Sequence, residues 1–171
     1  MKWCRNERGL TMLELLVVLT LAGILLVTTL TFALSWISRE SMRGAVYDVQ
    51  TFLQLARAEA IGRNQDCRFV IDTAAGRLWV MDSMDTSTRT DDVVIEQRRL
   101  PSDVRIERPD VGSPVTFTQI GTTDSYEVVF DPDGIVESGA GEAVLFGGDR
   151  YGKISVYSAG GVHVERWNGS G

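Results

Sequence analysis

The sequence has one histidine, two cysteines and no proline before Pro101, and its 23 acidic residues outnumber its 17 basic ones. Each shortage closes off a class of function. Cys4 and Cys67 are too few for a disulfide framework. Cys4 precedes a long apolar run, so a membrane crossed by that run would separate the two, and no disulfide is expected. One histidine and one cysteine beyond the run leave too few ligands for a zinc site. His163 lies in an expected terminal strand with no nucleophile motif around it, which speaks against a Ser-His-Asp site. The formal charge of −6 speaks against a general nucleic-acid binder. The chain is read as a non-enzyme that needs neither metal nor cofactor.

Charge is absent altogether from Leu15 to Ser38. Residues 10–34 form a run of apolar and small side chains broken only by Glu14. As a helix this run would extend roughly 37 Å at about 1.5 Å per residue, against about 30 Å for a bilayer core. Lys2, Arg5 and Arg8 precede it, so the positive-inside rule puts a short leader in the cytoplasm and the bulk of the chain outside the inner membrane. A secretory signal peptide would have a shorter apolar core followed by an A-x-A-like site, which Thr31-Phe-Ala-Leu-Ser35 matches poorly. A plain anchor gives no reason for Glu14, because an intramembrane carboxylate costs roughly 2.5–3.5 kcal/mol on insertion scales.

The stretch Arg8-Gly9-Leu10-Thr11-Met12-Leu13-Glu14-Leu15-Leu16 resembles the type III signal of type IV pilins and type II secretion pseudopilins. The resemblance implies that prepilin peptidase cuts between Gly9 and Leu10 and methylates the new amino terminus. Glu14 then falls fifth in the mature chain, where the family carries Glu. Leu10 replaces the usual Phe but remains apolar. The physical logic fits: Gly9 lets the backbone enter a narrow protease cleft. Glu14 of one subunit can pair with the terminal amine of a neighbour, offsetting a burial cost that either group would bear alone.

Beyond the anchor, Val46, Val49, Leu53, Ala56 and Ala60 follow a 3-4-3-4 spacing, one apolar stripe of a helix that holds it to a sheet. Gly62 and Asn64 are its terminators. With no proline in the anchor, any bend would have to come from Gly23. Strand-like patterns follow at 67–72 and 77–82 around Thr73-Ala-Ala-Gly76, then at 92–99, 104–108, 115–119, 126–130, 142–146, 153–157 and 162–167. Asp131-Pro-Asp-Gly134 is a turn. The expected fold is α+β: one long amino-terminal helix packed on an antiparallel β-sheet.

The segment Leu53-Gln-Leu-Ala-Arg-Ala-Glu-Ala-Ile-Gly-Arg-Asn64, the turn Phe130-Asp-Pro-Asp-Gly134 and the stretch Ile154-Ser-Val-Tyr-Ser-Ala-Gly-Gly-Val162 are similar to the GspH/FimT-type minor pseudopilins, with a type IV pilin-like fold. That likeness implies a leader at 1–9 and a transmembrane half-helix at 10–38. It further implies a periplasmic domain at 39–171, with an amphipathic helix at 39–62 and a β-domain at 66–168. It implies a minor subunit of a type II secretion pseudopilus, anchored once in the bacterial inner membrane, which helps export folded proteins. The implied partners are prepilin peptidase, major and minor pseudopilins and the inner-membrane assembly platform. The alternative is a FimT-type minor pilin of a type IV pilus, in some relatives with a role in DNA uptake.

Other motifs have plainer readings. Asp131, Asp133 and Glu137 resemble part of a calcium loop, but the position two residues before Asp131 is Val129. Arg98, Arg99, Arg105 and Arg108 are interleaved with Glu96, Asp103 and Glu107, as on a solvated strand face. The tail His163-Val-Glu-Arg-Trp-Asn-Gly offers one firm cation and one acid. Removing the leader takes away three basic residues and one acid, leaving 14 basic against 22 acidic residues, a formal −8. Such a field repels a polyanion.

Overall fold

The computed structural model describes residues 12–83, 92–108, 112–148 and 150–167. By contacts the chain forms two units, one up to Ile37 and one from Ser38 onward. A single helix, α1 (Met12–Arg63), contributes to both.

In the first unit α1 is long and apolar enough to cross a membrane over Met12–Thr29, and among the described residues no part of that window is buried. Threonine hydroxyls in it are satisfied locally. The hydroxyls of Thr20 and Thr29 donate to the carbonyls of Val17 (2.8 Å) and Leu25 (2.7 Å), as a threonine must where no water is at hand.

In the second unit α1 ends where its geometry requires. Asn64 takes a left-handed conformation (φ 55°), one that asparagine tolerates, and the Gln65 amide donates back to the Ala60 carbonyl at 3.2 Å. Ten strands follow among the described residues: β1 (Asp66–Asp72), β2 (Arg77–Ser83), β3 (Val93–Arg99), β4 (Val104–Ile106), β5 (Thr118–Gln119), β6 (Ser125–Phe130), β7 (Val136–Ser138), β8 (Gly141–Gly147), β9 (Arg150–Val156) and β10 (Val162–Trp167). They make two sheets where the sequence reading had one. The first has the order β3-β2-β1-β6-β5, with β7 also paired to β6, and the second has the order β10-β9-β8-β4. Every strand pairing is antiparallel.

The core lies between α1 and these sheets. Met42, Ala45, Val49, Phe52, Leu53, Ala56 and Ala60 of the helix are buried in one cluster with Phe69, Ile71, Leu78, Val80, Val128 and Phe130 of the first sheet and Leu145, Ile154 and Val156 of the second. Close approach needs small residues. A Cβ on Gly152 of β9 would stand 2.7 Å from Val46 and 3.0 Å from Met42.

Three strand expectations change. The segment expected as one strand at 115–119 is shared between sheets: Val115 makes an isolated bridge to Ala143 of β8, whereas Thr118 and Gln119 pair with β6. The expected strand at 104–108 shortens to β4. The strand β7 was unforeseen, because its three residues lie between two glycine-bearing turns.

Candidate assembly site

Gly9 and Leu10, the expected processing positions, lie outside the described residues. Glu14 lies in the first turn of α1, where an acid is favoured by the partial positive charge of the helix start. Around it Leu13, Leu15 and Leu16 are 76%, 52% and 63% exposed. Further along the segment Val18, Leu19, Leu21, Ile24, Leu25 and Leu26 are all more than half exposed. Each such side chain loses about 1.5–3 kcal/mol relative to burial if left in water. Among the described residues nothing covers this face.

In the second unit α1 turns its apolar stripe inward. Val49, Leu53, Ala56 and Ala60 are fully buried, and Val46 is partly buried against the same cluster. Sequence reasoning left out Met42 and Ala45, which extend the stripe by one turn toward the start of the second unit, and Phe52, which widens it. The same 3–4 spacing, carried back from Val49, would have found Met42 and Ala45.

The polar groups serve the fold. Asp131 Oδ1 accepts the amides of Asp133 (3.0 Å) and Ile135 (2.8 Å), which closes the turn between β6 and β7. Gly134 occupies that turn at φ 75°, where its missing Cβ also makes room for Ile61 and Arg57 of α1. Among the described residues no group of three or more His, Cys, Asp and Glu side chains is arranged to hold a metal. His163 is exposed and stands opposite Ser155 in the β9–β10 ladder. The neighbouring carboxylate, Glu165, is held by Lys153, which also reaches Glu142 at 3.5 Å. The hydrogen bond from Lys153 holds the Glu165 pKa below the usual carboxylate range, and its counterpart raises that of Lys153.

Of the four arginines of the sequence reading, Arg99 and Arg105 line one groove together with Glu107, whereas Arg98 and Arg108 turn to acids elsewhere. Arg98 donates to Asp48 and its guanidinium lies 5.8 Å from the centre of the Phe52 ring. Arg99 is on β3 of the first sheet and Arg105 on β4 of the second, whereas Arg108 approaches Glu142 at 4.0 Å. Sequence reasoning also missed two buried ionic contacts. Arg68 of β1, 2% exposed, meets Asp92 at 3.3 Å, and Asp82, 7% exposed at its side chain, accepts from Arg63 at 3.0 Å. Cys67 is a free, fully buried thiol, and burial, reinforced by Asp82, pushes its pKa up to about 11.

Comparison with known proteins adds to this geometry. A family model described as type II transport protein GspH matches residues 45–160, and a model of the prokaryotic N-terminal methylation motif matches residues 4–30. No curated protein matches the sequence. Among solved structures, the chain is similar to the type IV minor pilin FimU of Pseudomonas aeruginosa, at 11% identity and a TM-score of 0.53, over 76% of this chain and 92% of that one. It also matches the minor pseudopilin EpsH from the type 2 secretion system of Vibrio cholerae, at 17% identity and a TM-score of 0.48, over 71% of this chain and 96% of that one. The likeness to FimU bears on the fold alone: an apolar amino-terminal helix with an antiparallel β-domain.

Proposed function

The chain belongs to the family of type II transport protein GspH, and on that premise we propose that it is a minor pseudopilin of type II secretion whose work is mechanical. One observation carries this reading. The family match over residues 45–160 and the methylation motif over residues 4–30 occur in the same chain, and α1 (Met12–Arg63) runs from one into the other.

In this reading residues 1–9 are a cytoplasmic leader, 10–38 the anchor in the inner membrane and 39–171 the periplasmic domain. The methylation motif supports a cut by prepilin peptidase between Gly9 and Leu10, with methylation of Leu10. The uncovered apolar face of Met12–Thr29 first lies in lipid and then packs among the helices of other pseudopilins. Glu14 pairs there with the terminal amine of a neighbour, which removes two uncompensated charges at once. The stripe Val46, Val49, Leu53, Ala56 and Ala60 holds the helix of the second unit to its sheets. No reaction is assigned to the chain.

The alternative, a minor pilin of a type IV pilus, is separated by phenotype. Deleting the gene in its own host should abolish export of folded proteins across the outer membrane, and the wild-type gene should restore it. Normal export combined with loss of pilus-dependent motility or DNA uptake would assign the chain to the pilus instead.

A further inference from the structure

Arg77 of β2 and Arg99 of β3 stand directly opposite each other in the first sheet. Leu78 and Val80 are core residues, so alternation puts Arg77, Trp79, Gln97 and Arg99 on the outer face. There, with Arg98, they line a shallow groove of about 350 Å³, and no acid lines it among the described residues. Like charges directly opposite destabilise a sheet, so the fold gains nothing from setting Arg77 against Arg99. Both are exposed, and among the described residues neither forms an ion pair. The acids around them have other places. Asp72 faces Arg77 from β1, but its Oδ1 accepts the amides of Ala74 (2.9 Å) and Ala75 (2.7 Å). Glu96 falls by alternation on the opposite face, with Arg98. Glu107 lies in the neighbouring groove, which Arg99 shares with Arg105.

The residue types narrow the occupant. A guanidinium fork matches a carboxylate with two parallel hydrogen bonds. Trp79, half-buried between the two arginines and the rest of the sheet face, offers a broad ring and one N–H donor. Tryptophan and arginine are the side chains that most often anchor a protein partner. The space admits a pair of side chains but not a run of nucleotides, which a single-strand site needs. The excess of 23 acidic over 17 basic residues also opposes a polyanion. We infer that the outer face of the first sheet is a docking surface for an acidic segment of a protein partner. Its carboxylates take the place between Arg77 and Arg99, and its chain lies against Trp79. The surface belongs wholly to the second unit, so the inference does not depend on the anchor or on the secretion role.

The test titrates the full chain, purified in nonionic detergent, into a labelled synthetic peptide of alternating Glu and Thr, read by fluorescence anisotropy. The peptide should bind, and its counterpart with Gln for Glu should bind far more weakly. Arg77→Gln and Arg99→Gln should each weaken binding about fivefold, the upper range for a solvent-exposed ion pair. Arg43→Gln, which removes an exposed charge on α1 outside the groove, should leave binding unchanged. Arg99→Gln should not lower the unfolding midpoint, because it relieves the like-charge pair; a lower midpoint would make the arginine part of the fold and overturn the inference. No binding of the acidic peptide overturns it, as does equal binding of the Gln peptide or an equal loss in Arg43→Gln. Tighter binding of a single-stranded oligonucleotide of the same charge also overturns it, because the face would then be a nucleic-acid site.

Discussion

Arg68 and Asp92 meet at 3.3 Å, 24 residues apart in sequence and both at least nine-tenths buried, on the face of β1 opposite the core residues Phe69 and Ile71. Alternation along a strand puts Arg68 on that face, and burial there makes its charge expensive unless it is paired. Arg68→Ala should destabilise the domain by about 3–5 kcal/mol, the usual cost of orphaning one member of a buried pair. Replacing both residues by apolar side chains of similar size should cost much less. Chemical unfolding of the wild type and the two variants measures the difference.

The packing of β9 against α1 makes a second prediction. Gly152→Ala places a methyl group 2.7 Å from Val46 and 3.0 Å from Met42. Both contacts are to side chains, and Met42 can adjust more readily than β-branched Val46. The expected loss is about 1–3 kcal/mol, the range for an overpacked core, with the fold retained. The unfolding midpoint checks it, and a midpoint equal to wild type would mean that the helix and β9 are less tightly apposed than described.

Cys67 makes stability fall at alkaline pH. The unfolded thiol ionises near 9.0 and the folded one near 11. Between these values the folded state keeps a proton that the unfolded state has lost, so stability declines as pH rises through this window. The full decline from this group is about 2–3 kcal/mol. Cys67→Ala should be less stable than wild type at pH near 8 and should show a shallower decline toward pH near 10. Unfolding curves at the two pH values test the sign directly.

The acid side of the same argument concerns Glu165. Its pKa is lowered by Lys153, so its contribution is present above the ordinary carboxylate range and is lost as pH falls through the lowered value. Glu165 is partly exposed, and the effect is a small one. Glu165→Gln should flatten the acid limb of the stability profile without moving the alkaline limb set by Cys67.

Glu14→Ala should leave leader cleavage intact and impair incorporation into the filament, because in the proposed reading cleavage depends on Gly9 and assembly on the Glu14 carboxylate. Cross-linking of mature subunits in membranes follows incorporation. Normal incorporation together with normal secretion would remove the role assigned to Glu14.

Much of this architecture is visible in the residue pattern, for physical reasons. A stripe spaced by three and four residues must be one face of a helix, and Val49, Leu53, Ala56 and Ala60 are the buried face of α1. Asp131-Pro-Asp-Gly134 carries its turn in local hydrogen bonds, so neighbouring residues suffice to identify it. The division into two sheets is a matter of pairing between distant segments, as in Val115 bridging Ala143 while Thr118 pairs with Glu127. No local pattern encodes that. Arg68 looks like an interruption in an apolar strand until Asp92 arrives from the far end of the β2–β3 connection.

The most direct test of the account is the mass of the amino-terminal peptide of the mature protein from native membranes. The account predicts a chain that begins at Leu10 and carries one added methyl group. A terminus at Met1, or one created by a cut after the apolar run, would contradict it.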